Sequence, residues 1–274
     1  IQFSYRKEQL VASRFSIGER LLEQNPAAQS TLQPPRTTTT ELVVENWKNS
    51  SAPTVNGRPL RLKPYEVSRC LAIAPDHHAA LVGTVWNLRL VDGQGRELWQ
   101  QATSANVWSV NIAENGLVAA AALADGTLRW YRTADGQELL ALFPQPESKR
   151  WVVWTPSGYY DAGPGAETLL GWHKNYGSDT AADFFPAAQF RSVSYRPGIV
   201  KTIMETLDEQ QAVASHSGGK TSVLSSQPEL QPTDKQPIVI VSPQDGATFA
   251  AWSDGGTQQH EIVVGERTGE LEQM

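Results

Sequence analysis

The chain has 274 residues, enough for one large or two modest domains, and a net charge of −6. This mild negative charge, without a basic cluster in the sequence, argues against binding to nucleic acid or anionic lipid. No apolar run approaches the ~18 residues that a membrane-spanning helix needs. Cys70 is the single cysteine, so an intrachain disulfide and a Cys-rich metal site are excluded.

The first 66 residues predict strands and loops. Residues 1–24 are predicted to form a degenerate blade of a β-propeller, and residues 25–66 a Pro- and Thr-rich loop with short strands, one of them at residues 41–47. The first residue is Ile1, and the sequence begins within a predicted strand. We therefore expect the chain to be a piece of a longer protein.

Residues 70–99 and 110–140 repeat each other at a spacing of about 40 residues. Leu88 corresponds to Leu128, and the turn that contains Gly95 corresponds to the turn that contains Gly136. Each stretch has four short strand-like runs separated by turns rich in Gly and Asp, which supply the backbone conformations that tight hairpins need. A period of roughly 40–45 residues with four strands is typical of a propeller blade.

Residues 67–178 are therefore predicted to form propeller blades, and the fold class is mainly β. A third unit is predicted to begin at Lys149, with Trp154 in the place that Ile73 holds in the first unit. Together with the degenerate unit, this predicts about three to four WD-repeat-like blades, an incomplete propeller, since closed ones have roughly four to eight. The alternative is an ordinary β-sandwich. Exposed edge strands in an open stack predict self-association.

The character of the sequence changes after the blades. Residues 179–214 are predicted to be a helical segment, with helices at 180–185 and 197–214, because Pro197 suits a first helical turn and apolar residues follow at helical spacing. Residues 215–236 predict a flexible linker with almost no apolar content. Residues 237–274 predict the incomplete start of a further β domain.

Few residues point to catalysis, and we predict no catalytic, cofactor or metal site. Cys70 lies in an apolar run and is predicted to be a small buried hydrophobe. His77 and His78 are predicted to occupy an exposed turn, because no nearby residues complete a metal set. A hydrolase that uses Asp161 or His173 is the weakest alternative, since nothing in the sequence fixes a partner for either.

Aromatic residues in the repeat region predict a protein-interaction surface built from loops. The candidates are Trp86, Trp108 and Tyr131, together with Arg89 and Arg129 at matching positions of the two units. The alternative is that all five pack inside the fold. The expected partner is a protein or peptide of unknown identity, with no nucleic acid and no membrane segment involved.

Residues from about 42 to 214 resemble the last blades of bacterial WD-repeat proteins that carry a caspase-like peptidase domain. The segments that carry this resemblance include Trp154-Thr155-Pro156-Ser157-Gly158-Tyr159-Tyr160-Asp161. The most specific are Gly171-Trp172-His173-Lys174-Asn175 and Ala181-Ala182-Asp183-Phe184-Phe185-Pro186, followed by Tyr195-Arg196-Pro197. The strand at residues 238–247 resembles the start of the immunoglobulin-like domain that follows in such proteins. This resemblance implies a sensor or scaffold module whose peptidase, with its catalytic His and Cys, would lie beyond residue 274.

The chain itself is therefore expected to be non-enzymatic. Its lack of disulfides permits the cytoplasmic location that we expect. An alternative rests on residues 92–99, which are similar to the tryptophan-docking repeat of quinoprotein-type propellers, a group that includes dehydrogenases and non-enzymatic scaffolds.

Overall fold

The computed structural model describes residues 1–6, 10–27, 32–174, 183–216, 238–239, 247–252 and 259–264. The linker predicted at residues 215–236 lies outside the described residues except for its first two. Most of the segment predicted to start a further β domain, residues 237–274, also lies outside them. The described part of the chain is mainly β, with several antiparallel sheets and few helices.

Two small antiparallel sheets precede the repeat units. Their strands are β1 (Gln2–Arg6), β2 (Leu10–Ser16), β3 (Leu21–Gln24), β4 (Val44–Glu45), β5 (Thr54–Val55) and β6 (Arg58–Pro59). The first three strands form one sheet in the order β1-β2-β3, and the next three form another in the order β4-β5-β6. The degenerate unit predicted at residues 1–24 thus consists of a three-stranded meander.

The two repeat units fold as four-stranded meanders. The strands are β7 (Ser68–Ile73), β8 (Ala79–Thr84), β9 (Asn87–Asp92), β10 (Glu97–Ala102), β11 (Val107–Ile112), β12 (Val118–Leu123), β13 (Leu128–Arg132) and β14 (Glu138–Gln145). The second and third strands of the two units also pair in a similar register. Arg89 lies opposite Val82 in the first unit, and Arg129 lies opposite Ala121 in the second. The predicted fold class, mainly β with an open and incomplete propeller-like arrangement, is confirmed.

The strands predicted to open a third unit extend the second sheet instead. β15 (Arg150–Trp154) pairs with β14, and β16 (Tyr160–Ala162) pairs with β15, so that this sheet has six strands. The reason is the connection between β14 and β15, which is a single short turn of 3-10 helix ended by Lys149 at φ +54°. So short a connection returns the chain antiparallel to the strand that it has just left.

The last described elements mix strands and helices. They are β17 (Leu170–Lys174), β18 (Asp183–Pro186), α1 (Arg191–Ser194), α2 (Pro197–Thr206), α3 (Glu209–His216), β19 (Ile238–Val239), β20 (Ala247–Trp252) and β21 (Gln259–Val264). The helix predicted at residues 180–185 is wrong where it is described, because Asp183–Pro186 form a strand that pairs with β17. Its two phenylalanines favour a strand, and the proline that follows them cannot continue a helix.

The sheets stack face to face. The β4–β6 sheet covers one face of the first unit, whose other face packs on the second unit, and the β1–β3 sheet with α2 and α3 covers the far face of the second unit. Cys70 lies between the two units, where its Sγ is 3.6 Å from the carbonyl oxygen of Val107. Burial raises the pKa of this thiol to about 12, so that it stays protonated at neutral pH.

Trp99 joins the first unit to the second. Its indole Nε1 donates a hydrogen bond to the carbonyl oxygen of Thr133, at 2.7 Å, and the side chain is almost completely buried. The ring lies against Gly136, where a β-carbon would come within 2.6 Å of it. The glycine at this turn is therefore needed both for its backbone, at φ +75°, and for the space that the tryptophan fills.

The two requirements can be separated with a matched pair of substitutions. Gly136→Ala is expected to lower the free energy of unfolding by about 1–3 kcal/mol more than Gly116→Ala. Both glycines have a left-handed backbone, but a β-carbon at Gly116 meets no atom within 4 Å. Urea unfolding followed by circular dichroism measures the difference. Equal losses in the two variants would show that the ring does not restrict this turn.

Candidate interaction surface

The structure separates the five predicted surface residues into two groups. Trp86, in the connection between β8 and β9, is 41% exposed, and Trp108, on β11, is 57% exposed. Arg89, Arg129 and Tyr131 are buried instead, so the prediction that they belong to a surface is wrong for these three. They lie on β9 and β13, central strands that are covered by neighbouring sheets on both faces.

Arg89 is buried because it forms an ion pair with Glu66, which is fully buried itself. Its Nε and Nη2 donate to the two oxygens of the Glu66 carboxylate, at 3.0 and 2.6 Å, and its Nη1 donates to Glu97. Thr84 and Asn87 also donate to this carboxylate, at 2.7 and 2.8 Å. A buried charge requires such compensation, since an unpaired one would be strongly destabilising.

Arg129 occupies the equivalent place in the second unit. Its Nη1 donates to both carboxylate oxygens of Glu138, at 3.0 and 2.9 Å, and its Nε donates to Thr127 at 3.3 Å. Tyr131 lies in the apolar cluster between the two units, and burial raises the pKa of its phenol. These side chains therefore hold the interior together and are not available to a partner.

Trp86 and Trp108 lie at the same end of the stacked units. The Thr103 N–H, in the connection that leads to β11, donates to the carbonyl oxygen of Trp86 at 3.0 Å. Tyr65, whose side chain is almost fully exposed, precedes β7 at this end. Glu66 links its turn to that of Trp86, because its carboxylate binds Thr84 on one side of the tryptophan and Asn87 on the other. We name Tyr65, Trp86 and Trp108 the aromatic end.

Arg69 adds a cation to the aromatic end. Its guanidinium lies over the ring of Trp108, 5.1 Å from the centroid, which is within the range of a cation–π interaction. Its Nη1 reaches the side-chain oxygen of Asn49 only at 3.5 Å. Its Nε is buried and has no hydrogen-bond partner among the described residues. The surface thus combines large apolar rings with the cation of Arg69.

The opposite end of the units holds an open groove of about 1110 Å³ between their turns. His77 and His78 line it, and His77 contacts the carboxylate of Glu41. In the part of the chain that the structure describes, no three His, Cys, Asp or Glu side chains come together as a metal site requires. The groove also exposes Leu98.

Asp161 is held in an ion pair. Arg20 donates from Nε and Nη2 to its two carboxylate oxygens, at 2.8 and 2.7 Å, and the same Nη2 donates to the hydroxyl of Tyr195 at 2.9 Å. A pocket of about 660 Å³ opens beside this pair, between the β2–β3 turn and the loop that follows β16. The bidentate pair fixes the N-terminal meander onto the second sheet, and a carboxylate so engaged is poorly placed for acid–base catalysis.

His173, the other residue of the hydrolase alternative, lies on β17, where its backbone pairs with that of Phe184 on β18.

Two features of this surface were not identified in the sequence. Glu66 and Arg69 belong to a stretch without repeat character, so no pattern distinguished the buried Glu66 from the partly exposed Arg69. A usable signal was the alternation at the start of β7, where Tyr65 and Arg69 are separated by residues that are mostly buried.

No protein-family model matches the chain, and no curated protein matches it. Among solved structures, the chain is similar to BamB from Moraxella catarrhalis, with 13% identity over 49% of this chain and 45% of that chain, and a TM-score of 0.34. It is also similar to KlHsv2 with loop 6CD replaced by a Gly-Ser linker, with 10% identity over 56% of this chain and 60% of that chain, and a TM-score of 0.31. The fold assignment rests on the sheets described above. None of the described helices is long and apolar enough to cross a membrane.

Proposed function

We propose that this chain is a non-catalytic protein-interaction module, a sensor or scaffold that docks a protein partner at the aromatic end. In this proposal it is the propeller part of a larger, cytoplasmic bacterial protein whose effector is a caspase-like peptidase. The larger context comes from the resemblance of residues 42–214 alone. A rigid stack of sheets suits this role, since it presents loops in a fixed arrangement.

The exposure of Trp86 and Trp108 at the same end is the observation that carries the proposal. Tryptophan is enriched at the energetic centres of protein interfaces, where its large area is removed from water on binding. The other tryptophans of the repeat units, Trp99 and Trp130, are buried, so exposure is not a general property of tryptophan in this fold. The aromatic end therefore offers a surface whose burial by a partner is favourable.

The variant Trp86→Ala/Trp108→Ala is expected to weaken partner binding by about tenfold or more, because interface tryptophans are common hot spots. The measurement is quantitative mass spectrometry of proteins retained by the immobilised chain from an extract of the source cells. Leu98→Ala/Leu117→Ala is the matched control, since both leucines are 54% exposed and lie towards the opposite end of the units. The proposal fails if both double variants retain the same proteins in the same amounts.

A second candidate is a quinoprotein-like propeller, either a dehydrogenase or a scaffold. Trp99 favours it, because this tryptophan of residues 92–99 docks against the next unit through Thr133 and Gly136. The dehydrogenase form of this hypothesis requires binding of a quinone cofactor together with calcium. Equilibrium dialysis against both would test it, and retention of neither would leave only the scaffold form.

A further inference from the structure

The fold brings dispersed positive charge to the aromatic end. Residues 61–69 contain three basic residues and one acidic residue, in a chain whose net charge is −6. Reciprocal backbone hydrogen bonds between Ser50 and Ser68, of 3.3 and 2.9 Å, place Lys48 beside the strand that holds Arg69. Lys48 and Arg69 are 21 positions apart in the sequence, which is why the sequence shows no basic cluster.

Lys63 is the third cation of this region. Its backbone N–H donates to the Glu66 carboxylate at 2.8 Å, so that the turn from Lys63 to Glu66 is fixed against the connection that holds Trp86. The side chain of Lys63 is exposed. Because the Glu66 carboxylate points inward and is paired with Arg89, it does not neutralise Lys63 at the surface.

The other carboxylates near this end are less accessible than the cations, with the exception of Glu45. Asp125, in the β12–β13 turn, has a side chain that is only 22% exposed, and its carboxylate lies 4.0 Å from Nη2 of Arg129. Glu45, exposed at the end of β4, balances at most one of the cations. A partner that approaches the aromatic end therefore meets exposed rings together with the accessible cations Lys48, Lys63 and Arg69.

We propose that the aromatic end recognises an acidic segment of a protein partner, one that carries carboxylates next to large apolar side chains. This inference rests on the proposed function and names the chemistry of its partner. A carboxylate of the segment binds the Nη groups of Arg69, and a second one binds the exposed side chain of Lys63. Apolar side chains of the segment cover Trp86 and Trp108.

The two kinds of contact have different roles. Burial of the rings supplies most of the affinity, whereas the cations orient the segment and speed its association. Single-stranded nucleic acid also stacks on aromatic side chains, but its binding relies on a charged groove that follows the backbone over several nucleotides. Three cations around two tryptophans in a negatively charged chain suit a short acidic segment better.

Fluorescence anisotropy with defined probes tests the proposal on the full chain. The probe is a labelled dodecapeptide that alternates Glu with Phe, and its counterpart has Lys in place of Glu. The Glu peptide is expected to bind more tightly than the Lys peptide by about tenfold or more, and raising NaCl from about 0.05 M to about 0.5 M is expected to weaken it. Equal binding of both peptides overturns the proposal, as does tighter binding of an oligothymidylate of the same length.

Charge-reversal variants locate the binding site. Lys63→Glu is expected to weaken binding of the Glu peptide by about tenfold, and its backbone contact with Glu66 is retained. Lys201→Glu is the matched control, because Lys201 is exposed on α2 and the charge change is the same. Equal weakening by the two variants overturns the assignment to this surface.

The outcomes also separate this inference from the proposed function. If Trp86→Ala/Trp108→Ala reduces capture of cellular proteins but the Glu peptide does not bind, the aromatic end is an interaction surface whose partner is not acidic. If the substitutions change neither capture nor peptide binding, both proposals fail. Thermal unfolding of each variant, followed by circular dichroism, confirms that a loss of binding is not a loss of fold.

Discussion

Replacement of Trp99 by alanine is expected to lower the free energy of unfolding by about 3–5 kcal/mol, the usual cost of removing a buried aromatic side chain. The loss has two sources. The indole fills the space against Gly136, and its Nε1 holds the carbonyl oxygen of Thr133 in the next unit. Both contacts cross from one repeat unit to the other, so the substitution weakens the packing between units.

Urea unfolding, followed by tryptophan fluorescence and by circular dichroism, measures this change. Trp86→Ala is the control, because it removes the same side chain from an exposed position and is expected to change stability by no more than about 0.5 kcal/mol. Equal destabilisation by the two variants would contradict the docking role of Trp99. A separation of the two unfolding curves in Trp99→Ala would show that the units had become independent.

Replacement of Glu66 by alanine is also expected to cost about 3–5 kcal/mol, because it leaves the buried guanidinium of Arg89 without its main partner. Thr84, Asn87 and the backbone N–H of Lys63 lose an acceptor as well. The double variant Glu66→Leu/Arg89→Met is expected to recover part of this loss, since no charge then remains buried. Denaturant unfolding of the single and double variants measures the recovery.

An exposed ion pair provides the comparison for Glu66. Asp135 is half-exposed and pairs with Arg132 three residues away, so Asp135→Asn is expected to cost no more than about 1 kcal/mol. Equal losses from Glu66→Ala and Asp135→Asn would contradict the assignment of Glu66 as an internal counter-ion. A double variant less stable than Glu66→Ala would show that apolar side chains cannot replace the ion pair.

The same carboxylate makes stability depend on pH. Burial acts to raise the pKa of Glu66, but the hydrogen bonds from Arg89, Lys63, Thr84 and Asn87 together outweigh it and hold the pKa below its usual value of 4.5. A carboxylate whose pKa is lowered by folding stabilises the fold above its unfolded pKa, and this contribution is lost as the pH falls through the folded pKa. The difference in stability between the native chain and Glu66→Gln should therefore shrink below about pH 4.5.

The repeat region was predictable from local patterns. Alternating and continuous apolar runs located β7 to β14, and glycines such as Gly95 and Gly136 located the turns, because both signals depend only on nearby residues. The pairing of β15 with β14 was not predictable in this way. Trp154 resembles Ile73 in its local sequence, but whether a strand extends one sheet or starts another depends on the connection that precedes it.

The proposed interaction surface was predictable only in part. The sequence predicted Trp86, Trp108 and Arg89 as surface residues. No pattern in it indicated that the side chain of Arg89 is buried. That burial depends on Glu66, which lies 23 residues earlier and outside the repeat. Tryptophans pose the same difficulty, because Trp86 and Trp99 differ in burial through contacts with another unit and not through their own neighbours in sequence.

The paired charges inside the two units have a consequence for how such a chain can change its length. Arg129 finds its carboxylate in Glu138 on the neighbouring strand, and Arg89 has Glu97 in the same relative place. The second unit therefore carries its main counter-ion when it is copied, whereas the first also needs Glu66 from outside the repeat. A copy of the second unit inserted between the two would bring a paired Arg129 with it, and growth of the stack by repetition of that unit would leave no buried arginine without a carboxylate.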